Sequence, residues 1–160
     1  MTASPSSDPD SVHRLLAARG LTVAVAESLT GGLLSAALTS SPGSSATFRG
    51  GLVVYATDLK ARLADVSRPL LDAQGPVSAD VAQALASGAR RRLSADLGVG
   101  ITGVAGPDPI YGHPAGTVFL AVAGADTGAV SRVELAGSRT EIREAAVAAA
   151  LDLLLSVVCS

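Results

Sequence analysis

One serine of this sequence stands where a protein can present a nucleophile. Ser28 follows an apolar run, residues 21–25, and precedes a pair of glycines and an alanine- and leucine-rich run, residues 33–38. This order predicts a strand, a tight turn and a helix. Open α/β sheets bind ligands at such turns, where the helix N-terminus aims backbone N–H groups at the ligand. The alternative is that Ser28 or Thr30 only caps the helix.

Lys60 is the only lysine among the twelve basic residues of the chain. A buried lysine can lose its proton near neutral pH, which arginine cannot do, and its neutral amine can take the proton of a serine hydroxyl that attacks a carbonyl. The alternative is an exposed helix residue without such a role. Tyr55 lies five residues before Lys60 and could link lysine and serine through its hydroxyl, or simply pack half-buried at the end of a strand.

The two histidines are poor candidates for the base of a serine nucleophile. His13 falls in the first predicted helix, and His113 falls in a proline-containing loop. Two isolated histidines and scattered carboxylates also lack the spacing of metal ligands. A Ser-Lys pair is therefore the better catalytic hypothesis, and we expect neither a metal nor a cofactor.

Composition favours one compact domain. The chain has 160 residues, 48% of them apolar and 16% charged, which predicts a single α/β domain over 11–160 after a disordered lead-in, residues 1–10, without signal-peptide features. A net charge of −2 provides no basic surface for nucleic acid, and no apolar run is long enough to cross a bilayer. The single cysteine, Cys159, excludes an internal disulfide framework, so we expect a cytoplasmic protein.

The hydrophobic periodicity predicts alternating strands and helices. Strands are expected at 21–27, 48–55, 97–102, 116–123 and 130–136, the last two as a hairpin. Helices are expected at 11–20, at 33–38, at 57–63 with a Thr57 or Asp58 cap, from Ser78, and from Ser138 or Thr140 onwards. Irregular loops are expected around Pro69, Gly75 and Pro76 and over 108–114. The last helix is so apolar that it should be buried on more than one side or pair with another subunit.

Six blocks in the same order, spanning nearly the whole chain after residue 10, resemble the CinA C-terminal domain family, whose members include the nicotinamide-nucleotide amidohydrolases. The blocks are Ala-Glu-Ser-Leu-Thr-Gly-Gly (26–32), Pro-Gly-Ser-Ser-Ala-Thr-Phe-Arg-Gly-Gly (42–51), Val-Tyr-Ala-Thr-Asp-Leu-Lys (54–60), Gly-Pro-Val-Ser (75–78), Ile-Thr-Gly-Val-Ala-Gly-Pro (101–107) and Pro-Ala-Gly-Thr-Val (114–118).

The resemblance implies a three-layer α/β/α sandwich around a mixed, mostly parallel sheet. It also implies a homo-oligomer, usually a dimer, that hydrolyses the carboxamide of nicotinamide mononucleotide to nicotinic acid mononucleotide and ammonia. Larger members of the family carry an additional N-terminal domain associated with nucleotide pyrophosphatase activity, for which we expect this chain to have no room.

Catalytic roles follow from the same resemblance. It identifies Ser28 as the nucleophile and Lys60 as the base, with Tyr55 completing the hydrogen-bonded set. Backbone N–H groups of the turn after Ser28 are the candidates for the oxyanion hole, where one lost donor typically costs about 3 kcal/mol. They belong to Thr30, Gly31 and Gly32.

A second glycine-bearing corner is expected to hold the substrate phosphate, because glycines let the backbone approach an anion closely. Its residues are Thr102, Gly103, Ala105 and Gly106. Arg139 and Arg143 match arginines common in the family and are expected to help bind the phosphate, unless they are exposed helix charges.

The segment 108–114 departs from the family pattern. It reads Asp-Pro-Ile-Tyr-Gly-His-Pro, whereas many members have a glycine-rich stretch followed by Lys-Pro. If this loop lines the nucleotide pocket, the substrate preference could differ or catalysis could be weak. The alternative function is therefore a non-catalytic nucleotide- or partner-binding module, related to competence- and damage-inducible proteins, that keeps the fold without turnover.

Overall fold

The chain folds into alternating helices and strands. The structure, a computed structural model, describes residues 8–160. Within them the strands are β1 Val23–Glu27, β2 Phe48–Val53, β3 Leu97–Gly103, β4 Thr117–Ala123 and β5 Gly128–Glu134. The helices are α1 Pro9–Ala18, α2 Leu33–Thr39, α3 Thr57–Ala64, α4 Arg68–Gln74, α5 Ala79–Arg92 and α6 Arg139–Cys159, with a 3₁₀ turn at Ser44–Ala46. None of these helices is long and apolar enough to span a membrane.

The strands form one mixed sheet in the order β2-β1-β3-β4-β5. β1 pairs in parallel with β2 and with β3, whereas β4 is antiparallel to both β3 and β5. Every strand except β4 therefore points in the same direction. Because β1, β2 and β3 end side by side, the segments that follow them meet at one edge of the sheet.

Helices cover both faces of the sheet, which confirms the three-layer α/β/α sandwich. The helices α1, α2 and α6 pack on one face, against Val23, Val25 and other large side chains. The helices α3, α4 and α5 pack on the other face, against Ala24 and Ala26. All five residues of β1 are buried, because helices cover the strand on both sides.

Two glycines of β3 let α5 approach the sheet closely. A Cβ at Gly98 would lie 1.9 Å from the backbone oxygen of Ala86, and a Cβ at Gly100 would lie 2.2 Å from that of Ala82. The helix backbone thus packs directly on the strand, and the large side chains of β3 point to the opposite face. This close packing fixes the distance between α5 and the sheet. It thereby sets where the N-terminus of α5 lies relative to the neighbouring strand ends.

Two predictions of secondary structure are wrong, one at the N-terminus and one in the segment after α3. The helix α1 begins at Pro9, with the Asp8 side chain accepting a hydrogen bond from the backbone of Ser11, so residues 8–10 are not part of a disordered lead-in. Residues 1–7 lie outside the described residues. The predicted loop around Pro69 contains α4 instead.

Helix caps account for two differences between the predicted and the observed helices, the unpredicted helix α4 and the start of α3. The hydroxyl of Ser67 accepts the N–H of Leu70, and Pro69 falls in the first turn of α4, where a missing backbone N–H breaks no helical hydrogen bond. By contrast, the N-cap of α3 is Ala56, so neither Thr57 nor Asp58 caps it as predicted. Ser78 and Ser138 cap α5 and α6 as predicted.

The last helix, α6, is buried within this chain. It contacts α1, α2 and the strands β3, β4 and β5, with its exposed positions largely polar or small, such as Glu144, Asp152 and Ser156. Its apolar composition is therefore explained by burial on more than one side. The expectation of a dimer stays a prediction.

We predict that Gly100→Ala lowers the free energy of unfolding by about 3 kcal/mol, because the added methyl group overlaps the backbone of Ala82 and α5 must shift. Gly43→Ala is the matched control. A Cβ at Gly43 meets no atom within 4 Å, and its φ of 82° leaves backbone strain of only about 1 kcal/mol. Urea unfolding measures both; equal losses would show that close packing of α5 on β3 is unimportant.

Candidate active site

Ser28 and Lys60 meet at the shared edge where β1, β2 and β3 end. Ser28 directly follows β1, and Lys60 lies in α3, the helix that follows β2. Nζ of Lys60 is 2.9 Å from Oγ of Ser28, 2.8 Å from the carbonyl oxygen of Val54 and 3.2 Å from that of Tyr55. Only 1% of the Lys60 surface and 8% of the Ser28 surface is exposed.

Burial makes the neutral amine of Lys60 more accessible than that of an ordinary lysine. Burial lowers the pKa of Lys60 from its ordinary 10.5 to about 8, because a charged group loses its hydration inside the protein. The two carbonyl oxygens can only accept hydrogen bonds. A neutral amine therefore gives its two hydrogens to Val54 and Tyr55 and turns its lone pair to the hydroxyl hydrogen of Ser28, which is the arrangement that a general base requires.

A buried carboxylate, Glu27, holds the turn that presents Ser28. Its two oxygens accept five hydrogen bonds, from the hydroxyl groups of Thr30 and Ser35 and from three backbone N–H groups, those of Gly32, Leu34 and Ser35. All five bonds place a donor on a carboxylate oxygen. The carboxylate occupies the N-terminus of α2, where both the free N–H groups and the helix dipole stabilise negative charge.

Neither Ser28 nor Thr30 caps α2; Glu27 does this instead. The residue at the N-cap position is Gly32, with a φ of 108° and no side chain to cap the helix. Ser28 is thus free for other chemistry, whereas the hydroxyl of Thr30 is held by Glu27. Sequence reasoning missed Glu27. The available signal was a carboxylate at the end of an otherwise apolar strand. A carboxylate buried at such a position needs hydrogen-bond donors around it.

The oxyanion-hole prediction needs correction at the two glycines. The N–H of Gly31 donates to the carbonyl of Ser28, and that of Gly32 donates to Glu27, so both are engaged within the turn. The N–H groups of Leu29 and Thr30 have no acceptor within residues 8–160. Leu29 follows Ser28 directly and lines the cavity, which is the position that the oxyanion donor after the nucleophile has in α/β-hydrolases.

A cavity of about 370 Å³ opens in front of Ser28 and Lys60. Its volume falls within the range of about 300–1,000 Å³ that is typical of small-molecule sites. One wall is the end of β3 and the corner after it, which includes four predicted phosphate-binding residues. These are Thr102, Gly103, Ala105 and Gly106. A second wall, Pro76 and Val77 before α5, was not predicted as part of the site.

The corner after β3 carries free backbone donors. Within residues 8–160 the N–H groups of Ala105, Gly106 and Asp108 have no acceptor, although all three residues line the cavity. Such a group of N–H donors is suited to an anion. The hydroxyl of Thr102 is already bonded, since it donates to the carbonyl of Pro76 at 2.6 Å and so ties the two walls together.

The predicted hydroxyl link of Tyr55 to lysine and serine is wrong. Tyr55 lies beyond the end of β2 with 61% of its surface exposed, and its hydroxyl accepts a hydrogen bond from Arg139 at 3.2 Å. Only its backbone carbonyl contacts Lys60. Arg139 also donates to the carbonyl of Gly106 at 2.6 Å, so this guanidinium lies at the cavity mouth between Tyr55 and the corner after β3.

Arg143 does not face the cavity, which corrects its predicted role in phosphate binding. Its Nε donates to the carbonyl of Leu29 at 2.9 Å and its Nη2 to that of Thr30 at 3.4 Å. Arg143 therefore stabilises the turn after Ser28 from the side of α6. The two arginines of α6 differ in position: Arg139 borders the cavity, and Arg143 supports the turn that presents Ser28.

The histidines lie away from the Ser-Lys pair. His13 is buried and hydrogen-bonded to Thr47 and to the carbonyl of Leu38, and His113 faces the carbonyl of Val77 at 3.1 Å. Neither contacts Ser28. No cluster of three potential metal ligands occurs within residues 8–160.

Fold and site together define a class: a three-layer α/β protein with a buried serine-lysine pair at the carboxyl edge of its sheet. The family model of the CinA C-terminal domain matches residues 7–158, and the chain belongs to this family. A CinA-like protein of Frankia casuarinae is 51% identical over 140 residues, which are 88% of this chain and 32% of the relative. The chain spans about a third of the length of the curated relatives it matches.

Solved structures agree with this assignment. The competence/damage inducible protein CihA from Agrobacterium tumefaciens is 35% identical, with a TM-score of 0.88 over 98% of both chains. A competence-damaged protein (CinA) superfamily protein from Escherichia coli is 30% identical, with a TM-score of 0.90 over 97% of this chain and 92% of that one. The likeness covers the whole sandwich, including the strand ends that form the site.

We predict that Glu27→Gln lowers the free energy of unfolding by about 3 kcal/mol. The amide group would face N–H and O–H donors, leaving at least two buried donors without an acceptor. Glu144→Gln, an exposed change of the same chemistry on α6, should alter stability by less than about 0.5 kcal/mol. Urea unfolding at pH 7 measures both, and a loss no larger than that of the control would show that Glu27 does not hold the turn.

Proposed function

We propose that this chain hydrolyses the carboxamide of nicotinamide mononucleotide to nicotinic acid mononucleotide and ammonia. The observation that carries the proposal is the buried contact between Nζ of Lys60 and Oγ of Ser28, at 2.9 Å beside an open cavity. Serine hydrolases need a base on the hydroxyl, and the lowered pKa of Lys60 supplies one that is partly neutral at physiological pH. Membership of the CinA C-terminal domain family supports the same proposed function.

Acylation begins when Oγ of Ser28 attacks the amide carbon while Lys60 takes the hydroxyl proton. The C–O bond forms as the carbonyl π bond opens, and the negative charge moves to the amide oxygen. The N–H group of Leu29 is the donor we assign to this oxyanion. The lysine ammonium then protonates the amide nitrogen, the C–N bond breaks, and ammonia leaves an acyl ester on Ser28.

Deacylation repeats these steps with water as the nucleophile. Lys60, neutral again after giving its proton to the leaving amide nitrogen, removes a proton from the water that attacks the ester carbon. Collapse of the second oxyanion breaks the bond to Ser28, and the lysine returns the proton to Oγ. The net change is one amide and one water converted to one carboxylic acid and one ammonia, with the protein unchanged.

The corner after β3 is the part of the cavity that we assign to the phosphate. Free N–H groups of Ala105, Gly106 and Asp108 and the guanidinium of Arg139 all border the same space. An anion bound there would take a charge-assisted hydrogen bond from Arg139, whose present partners are a carbonyl and a tyrosine hydroxyl. This arrangement favours a substrate with an amide at one end and a phosphate at the other.

We predict that Ser28→Ala and Lys60→Met each reduce ammonia release from nicotinamide mononucleotide by at least about 10⁴-fold, because each removes one half of a unit that acts together. Methionine keeps the volume of the buried side chain without its amine. Arg62→Met, on an exposed turn of the same helix, is the matched control and should retain wild-type rates. Circular dichroism checks that all variants fold.

Either active variant would contradict the serine-lysine mechanism. If the wild-type protein releases no ammonia but binds the nucleotide, the alternative function holds, namely a nucleotide-binding module without turnover. Coupled detection of ammonia and calorimetric titration of nicotinamide mononucleotide separate these outcomes.

We predict that kcat/KM rises with pH and levels off above about pH 8. Only the neutral amine of Lys60 can act as base, so its lowered pKa of about 8 makes the active fraction fall about tenfold for each pH unit below that value. The profile is measured between pH 6.5 and 9.5, where the substrate phosphate stays ionised. A profile that is flat, or that falls between pH 7 and 8, would contradict the assignment of Lys60 as the base.

A further inference from the structure

The loop 108–114 contains a two-residue hairpin with an unusual residue in its turn. Ile110 and His113 exchange two backbone hydrogen bonds of 3.0 Å each. The central residues, Tyr111 and Gly112, both have positive φ, 55° and 77°. This is the requirement of a type I′ turn, for which Asn-Gly is the preferred pair. Left-handed backbone is unfavourable for a residue with a bulky side chain, so tyrosine is a poor choice for the turn itself.

Contacts within the chain do not explain the choice of tyrosine. The hydroxyl of Tyr111 has no hydrogen-bond partner within residues 8–160, and 53% of its surface is exposed. One edge of the ring lies near the turn before α5, since a Cβ at Gly75 would be 3.9 Å from Cδ1 of Tyr111. Tyr111 is also one of the residues that line the cavity in front of Ser28. An unfavourable backbone conformation at a cavity-lining residue whose hydroxyl is unbonded points to a function for the side chain.

Tyrosine is rare in this protein, and both copies border the same cavity. The chain has two tyrosines and two phenylalanines among 160 residues. Phe119 is buried in the core, whereas Tyr55 and Tyr111 are the large aromatic side chains left exposed in residues 8–160. Exposed aromatic rings at a cavity mouth bind planar rings well, because stacking removes apolar surface from water with little loss of conformational freedom.

We propose that Tyr111 is a substrate-binding residue that stacks on a planar heterocycle of the nucleotide, so that the loop 108–114 helps determine which nucleotide amides bind. The inference rests on the proposed function for the identity of the ligand class. Two rings have the required chemistry: the pyridine ring that carries the amide, and the second base of a dinucleotide that extends past the phosphate corner. Stacking requires the ring of Tyr111 but not its hydroxyl.

The test uses Tyr111→Asn and Tyr111→Phe. Asparagine removes the ring and suits the left-handed backbone, so Tyr111→Asn should weaken binding about tenfold, by the usual strength of base-aromatic stacking, while raising the Tm by about 2–4 °C. Phenylalanine keeps the ring and should restore the affinity to within about twofold. A residue that served only the fold would show the opposite pattern, with lower stability and unchanged affinity in Tyr111→Asn.

Ser94→Asn is the matched control. Ser94 also has a positive φ, 53°, but it lies at the end of α5 and does not line the cavity. Asparagine there should raise the Tm in the same way and leave the affinity unchanged. The control thus separates the relief of backbone strain from the loss of the ring.

Affinities are measured by calorimetry in the Ser28→Ala background, where no turnover occurs, with nicotinamide mononucleotide and nicotinamide adenine dinucleotide as probes. Loss of affinity for both probes assigns the pyridine ring to Tyr111, and loss for the dinucleotide alone assigns the second base. Unchanged affinity for both, or binding of neither probe, overturns the proposal. Absence of ammonia release by the wild-type protein, with Tyr111-dependent binding intact, overturns the proposed function alone.

Discussion

The site depends on one constraint: an amine is buried where the fold can give it three partners and no counter-charge. The amine of Lys60 contacts one hydroxyl and two carbonyl oxygens, and its pKa falls from 10.5 to about 8. At pH 7 this shift corresponds to about 3 kcal/mol less stability than a lysine with its ordinary pKa would give. Because the unfolded chain keeps its proton up to higher pH, stability recovers as the pH rises from about 8 to 10.5.

The rest of the architecture holds that amine in place. Parallel pairing brings the ends of β1 and β2 together, so a serine after one strand and a lysine after the other can meet. Glu27 fixes the turn from inside α2, and Arg143 fixes it from α6. The alanine and glycine residues on one face of β1 and β3 let α5 lie close to the sheet, which closes the side of the site next to Val77.

The sequence was sufficient to predict that Ser28 pairs with Lys60 but not to predict the residues that support the pair. Ser28 and Lys60 could be inferred because a strand-turn-helix pattern and the rarity of lysine are local signals. The hydrogen bonds of Tyr55 and Arg143 could not be inferred, because they join residues more than eighty positions apart. The sequence pattern does not predict α4, because Pro69 usually interrupts a helix, although Ser67 two residues earlier provides a cap.

The strand order separates two parts of the site along the chain. Residues 27–60 supply Ser28, Lys60 and the carbonyl groups that bind the lysine amine. Residues 102–139 supply the corner after β3, the hairpin with Tyr111, and Arg139. The pairing of β1 with β3 brings the two segments together, and the hydrogen bond of Arg139 to Tyr55 adds a second link between them. During evolution, an insertion or exchange in the later segment can therefore reshape the cavity wall without disturbing the contact between Ser28 and Lys60.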